Sequence, residues 1–213
     1  KLVGVDLSQL ELRCLAHYLY PFDKGAMVKE LLEGDIHTAN QKAAGLPDRA
    51  SAKTFIYALI YGAGDKKIGE IVGGSTKDGK DIKRKFFSKN KAFAHFKSDV
   101  ERVVETKGKL TALDGRKIPV RSKHSAVNFL LQSCGSILVK TSTVLLHSRI
   151  DWMNWQDRVS MVAHIHDEMQ FQVKDELADD LGKAAVKSIR ESKHIYNFNC
   201  PLDGEYKVGQ SWA

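Results

Sequence analysis

The chain has 213 residues and a mass of 23.8 kDa, enough for one compact domain or a domain with an inserted lobe. Hydrophobic residues make up 43% and charged residues 28%, with a net charge of +7, a globular balance that excludes a disordered chain. No uninterrupted apolar run reaches the ~18 residues expected of a membrane span, so an integral membrane protein is excluded. Leu2 to Val5 is a short apolar run closed by Asp6, which predicts a buried strand. From Leu10 to Leu19 apolar residues recur at helical spacing, and Val28 to Leu32 predicts another short helix. Asp48 is placed to cap a strong helix from Arg49 to Tyr61, which Gly62 and Gly64 terminate. Ile82 to Thr106 predicts one long amphipathic stretch with Phe86, Phe87, Phe93 and Phe96 on its apolar side. Asp114-Gly115 predicts a hairpin turn between Leu110 and Val120, and Val127 to Leu146 is helical and apolar.

The period then changes. Val159 to Ile165 and Met169 to Val173 alternate as two strands, with His166-Asp167-Glu168 at the turn. Leu177 to Glu191 is a helix, and the tail from Cys200 ends in a strand-like segment. The order predicts an α+β fold whose sheet comes from the two ends of the chain, with a helical lobe inserted between them. That lobe is basic: from Arg49 to Lys123 there are 19 Lys and Arg against 8 Asp and Glu, while the rest of the chain is mildly acidic. A basic lobe on an acidic platform suits a polyanion, although a solvated helical face has the same composition.

Cys14, Cys134 and Cys200 lie far apart without CxxC spacing, which disfavours a disulfide scaffold or a cysteine zinc site and points to a reducing compartment. The chain opens in mid-strand without Met or a signal peptide, and is read as part of something longer. If the strands of Asp6 and Asp167 are neighbours, two carboxylates meet at one sheet edge, where they can hold a pair of Mg²⁺ ions about 3.5–4 Å apart. Taken singly, an Asp at such a position is more often a turn or cap residue. Arg49, Lys53, Tyr57 and Tyr61 follow one another at four-residue spacing and share one broad helix face at ~100° per residue. Two cations followed by two aromatics suit a triphosphate and a stacked base, and also suit an amphipathic edge. Gly74 to Lys80 fits GxxxxGK, but Asp81 replaces the Ser or Thr a phosphate loop needs. His164 and His166 lack a third ligand nearby, which disfavours zinc.

With Asp6, the Arg49 helix and the His166 hairpin in this order, the chain resembles a family A DNA polymerase, and among these the replicative enzymes of short-tailed bacteriophages. The residues that carry the likeness are Val5-Asp6-Leu7-Ser8-Gln9-Leu10-Glu11-Leu12-Arg13, Arg49-x3-Lys53-x3-Tyr57-x3-Tyr61-Gly62 and His166-Asp167-Glu168. Asp35-Ile36-His37-Thr38, Gly115-Arg116 and Asn128-x3-Gln132 add to it. The resemblance implies an antiparallel-sheet palm over residues 1–19 and 126–213 and mainly helical fingers over 20–125, with thumb and exonuclease regions upstream. It implies template-directed addition of dNTPs to a primer 3′-OH with release of pyrophosphate. By the same resemblance, Asp6, Asp167 and the carbonyl of Leu7 would hold two Mg²⁺ ions. His37, Arg49 and Lys53 would contact the incoming triphosphate, and Lys53 would protonate the leaving pyrophosphate. Tyr57 would pack on the nucleotide, and Glu11 would exclude a ribose 2′-OH. Tyr61 and Gly62 would lie at the templating base. Asn128, Gln132, His166 and Glu168 would touch the primer–template, where groove acceptors test pair shape rather than sequence.

The implied partners are a DNA primer–template, dNTPs and a processivity factor bound through the thumb region, with no membrane, in a bacterial or phage-infected cytoplasm. Many relatives carry Phe where Tyr57 stands, and a Tyr there goes with acceptance of dideoxynucleotides. His124 stands where most relatives carry Arg. The residues alone also admit a non-catalytic nucleic-acid-binding module, or a phosphoesterase using Asp6, His164, His166 and Asp167. A single-subunit RNA polymerase is a further reading, against which Glu11 and Tyr57 argue.

Overall fold

The computed structural model describes residues 1–212. In chain order the elements are β1 (Leu2–Leu7), α1 (Leu10–Asp23), α2 (Ala26–Glu33), α3 (Ile36–Ala44), α4 (Arg49–Ile60), α5 (Asp65–Glu70), α6 (Thr76–Lys89) and α7 (Lys91–Lys107). There follow β2 (Lys109–Thr111), β3 (Lys117–Pro119), α8 (Ala126–Trp152), β4 (Val159–Ile165), β5 (Glu168–Val173), α9 (Ala178–Ser192) and β6 (Gly204–Gly209). They divide into two compact units, one of Lys1–Cys14 with the chain from Gln132 on, the other of Leu15–Leu131.

The first unit holds an antiparallel sheet in the order β4-β5-β1-β6. Strict alternation along β1 buries Val3, Val5 and Leu7 and turns Asp6 outward. Met169, Phe171 and Val173 extend the buried face on β5. Along α9, Leu181, Ala185 and Ile189 recur at helical spacing and are fully buried, so this amphipathic helix covers β1 and β6. Leu181 and Ile189, removed from water, contribute about 1.5–3 kcal/mol each. The expected α+β class and antiparallel sheet are therefore present, and the tail strand finds its partner in β1.

The second unit is mainly helical, with β2 and β3 forming the small hairpin that Asp114-Gly115 predicts. Phe55, Phe86, Phe87, Phe93 and Phe96 form its aromatic cluster, with ring centroids 5.2–6.4 Å apart and several pairs edge to face. The expected single stretch from Ile82 to Thr106 is two helices. Asn90 leaves helical geometry (φ −109°, ψ 63°), and its Nδ2 donates to the Phe86 carbonyl at 3.0 Å, ending α6 before Lys91 opens α7. The GxxxxGK segment is a helix start: the Ser75 hydroxyl and the Asp78 carboxylate cap α6 reciprocally. Its glycine serves packing, because a Cβ on Gly79 would lie 1.9 Å from the Asp65 carbonyl on α5.

Lys123–Trp152 is a helix long and apolar enough by composition to cross a membrane, despite being interrupted by Lys140 and Arg149. More than half of its apolar window is buried inside the protein (56%), as in a core helix.

Candidate active site

The residues singled out above fall into two sets, one in each unit. In the first unit, β1 delivers Asp6 to the exposed face of the sheet, level with Glu168 on β5 and Glu205 on β6. Residues directly opposite in antiparallel strands share a face, so three carboxylates form a row across three strands. The β4–β5 hairpin adds Asp167 at its tip, where His166 takes a positive φ of 52° and is exposed. The Leu7 amide donates to the Asp167 carbonyl at 3.1 Å, tying that tip to the end of β1. Glu11 stands in the first turn of α1, and its charge bears on both aspartates.

The electrostatic consequence is large. Burial, then the charges of Asp167, Glu168, Glu205 and Glu11, push the Asp6 carboxyl up to about 6. Asp167 is pushed up as well, burial again being the main cause, with a backbone N–H opposing it. Glu168 is held in place by hydrogen bonds from the Trp212 indole (3.0 Å) and the Gln170 amide. A groove of about 570 Å³ runs past Asp6, Glu168, Gln170, Glu205, Lys207 and Trp212.

These donors fit a divalent cation of the hard class. They are carboxylate oxygens held close together against their own repulsion, which a cation would relieve. No group of three or more His, Cys, Asp or Glu among the described residues is arranged to hold a metal ion by itself.

In the second unit the stripe on α4 is clear of the core. Ala52, Phe55, Ile56, Leu59 and Ile60 are buried, whereas Arg49, Lys53 and Tyr61 are exposed and Tyr57 is half-buried. Asp48 caps α4 through the Ser51 amide at 2.7 Å. Gly62 follows with φ +80°, and a Cβ there would sit 2.7 Å from the His124 carbonyl. His37, in the first turn of α3, is buried, and its ring lies 6.4 Å from that of Tyr57. Burial and the nearby Arg49 charge lower its pKa, which favours the neutral imidazole. His37 Nδ1 and Asn128 Nδ2 are buried without a hydrogen-bond partner among the described residues, a condition that a bound ligand or water relieves. Gln132 lies one turn beyond Asn128 on α8.

Two participants escaped the sequence. Glu205 reaches the carboxylate row only through the pairing of β6 with β1. Asp35 caps α3 and also binds Arg49 through two hydrogen bonds, of 2.7 and 3.2 Å. The Asp-Ile-His-Thr run was its only sequence signal.

The family model described as DNA polymerase family A matches residues 1–213. The chain belongs to DNA polymerase family A. Within it, the DNA-directed DNA polymerases of Enterobacteria phage T3 and Escherichia phage T7 are each 40% identical over 98% and 99% of the chain. DNA polymerase I of Aquifex aeolicus is 25% identical over 98% of it. The chain spans 32% of the length of each of the two phage relatives and 38% of the Aquifex protein. The POL domain of Pol1 from M. smegmatis, in complex with DNA primer-template and dNTP, shares the fold with a TM-score of 0.85. Its sequence identity is 20%, and the match covers 99% of this chain and 40% of that one.

Proposed function

We propose that this chain carries the palm and fingers of a template-directed DNA polymerase, which extends a primer 3′-OH with dNTPs and releases pyrophosphate. The palm corresponds to residues 1–19 and 126–213, the fingers to 20–125. The observation that carries the reading is the Asp6–Asp167 pair: carboxylates kept together at the ends of the two central strands with their acidities displaced, in a family A chain.

Asp6, Asp167 and the Leu7 carbonyl would hold two Mg²⁺ ions, which when bound supply charge neutralisation at the attacking and leaving oxygens. Arg49, Lys53 and the neutral His37 orient the triphosphate, and Lys53 gives a proton to the departing pyrophosphate. Tyr57 packs against the nucleotide sugar and base, and Glu11 blocks a 2′-hydroxyl. Tyr61 and Gly62 meet the templating base, while Asn128, Gln132, His166 and Glu168 engage the primer–template. Catalysis is then mostly positioning and electrostatics, which suits a site whose groups are already fixed by caps and strand register. The proposed partners are duplex DNA and a processivity factor bound outside this region, in a reducing bacterial or phage-infected cytoplasm.

Single-nucleotide extension of a labelled primer–template with Mg²⁺, beside Asp167→Asn, tests this. Template-dictated dNTP addition that is lost in the variant supports the reading. Addition that survives in Asp167→Asn, or hydrolysis of dNTP without template, overturns it.

A further inference from the structure

Arg49 is a long side chain with several rotatable bonds, yet it is held in one orientation. Its Nε and Nη2 donate to Asp35 Oδ2 and Oδ1, at 2.7 and 3.2 Å, a fork-to-fork pair. The same two oxygens accept from the Thr38 hydroxyl at 2.8 Å and the His37 amide at 3.1 Å. One carboxylate thus spends two bonds on the start of α3 and two on the start of α4. The fork occupies one edge of the guanidinium. The other edge, both Nη1 hydrogens and the second on Nη2, makes no hydrogen bond among the described residues, and the side chain is 57% exposed.

We propose that Asp35 is a positioning residue for nucleotide binding, holding Arg49 with its free edge presented to the incoming triphosphate beside His37. The inference rests on the polymerase reading and deepens it. An arginine ordered before the ligand arrives does not have to be ordered by it, so the gain appears in nucleotide affinity rather than in the chemical step. The Arg49 guanidinium also holds the Asp35 carboxyl far below the usual carboxylate range.

The test uses the natural full-length protein and Asp35→Asn, because Asn caps a helix as well as Asp does and leaves α3 intact. Steady-state insertion should show KM for dNTP raised about tenfold with kcat within about twofold, and no further increase when Asp35→Asn is added to Arg49→Ala. An unchanged or lowered KM overturns the inference, as does an equal increase on the Arg49→Ala background, which would place the effect in the cap. A second measurement stands apart from catalysis: calorimetric titration with metal-free inorganic pyrophosphate. Binding weakened by Asp35→Asn supports the inference even if the wild type adds no nucleotide, in which case only the polymerase reading fails. Equal pyrophosphate affinity in both forms overturns the inference.

Discussion

Asp6 on β1 lies directly opposite Glu205 on β6, so an acidic side chain stands across the strand pair from the carboxylate proposed to hold metal. Like charges so placed destabilise a sheet by a few tenths to about 1 kcal/mol. Asp6→Asn should therefore raise the metal-free Tm by roughly 1–4 °C while abolishing nucleotide addition. Scanning calorimetry with EDTA checks the first half and primer extension the second. A lower Tm would show that Asp6 supports the fold rather than strains it.

The sign of the pH dependence follows from the same group. Folded Asp6 titrates near 6 against 3.8 unfolded, so its protonated form contributes stability that is full below about 3.8 and lost as pH rises through 6. In EDTA, the difference in Tm between Asp6→Asn and the wild type should be small at pH 4 and larger at pH 7. Added Mg²⁺ should narrow it at pH 7 and do little at pH 4.

His17, on α1, behaves in the opposite sense. Burial lowers its pKa from 6.5 to about 4, so between these values the unfolded chain takes a proton that the folded chain refuses. Stability should fall as pH drops from 6.5 towards 4. Urea midpoints at pH 7 and pH 5 should differ less in His17→Gln than in the wild type.

Lys53 is exposed and makes no ion pair among the described residues, which leaves its ammonium available to a phosphate. If it also donates the proton, Lys53→Arg should keep nucleotide KM within a few-fold and lower kcat by about 10²–10⁴. Single-turnover kinetics separate the two. A raised KM at unchanged kcat would reduce Lys53 to a binding role.

Tyr57, half-buried on the stripe of α4, carries a hydroxyl that a Phe in its place would lack. Tyr57→Phe should leave dNTP insertion nearly unchanged and lower ddNTP insertion by at least tenfold, about 1.4 kcal/mol. Competition of ddNTP against dNTP on a primer–template measures this directly. Equal ddNTP use by both forms would remove the hydroxyl from the argument.

The parts that sequence made legible are those governed by local periodicity. Alternation in β1 and β5, the four-residue stripe on α4 and the apolar repeat of α9 each report one element's own face. The short helices α3 and α5 carry too little apolar pattern to announce themselves, because they are held mainly by neighbours. The break at Asn90 was hidden because Phe86 and Phe93 serve one aromatic cluster from two helices, so the apolar period runs across the joint. Glu205 and Asp35 act through strand pairing and a tertiary ion pair, neither of which leaves a mark in spacing.

The sheet has a further consequence for how the molecule comes into being. β1 precedes its partners by most of this region, since β5 and β6 lie at Glu168–Val173 and Gly204–Gly209. During synthesis Asp6 has no sheet to stand on until β5 and β6 have emerged, whereas helices α3 to α7 can assemble from near neighbours long before. The acidic face thus forms after the helices that lie between its strands in sequence. A protein stalled or cut before Gly204 keeps its helical lobe and never acquires a complete carboxylate row.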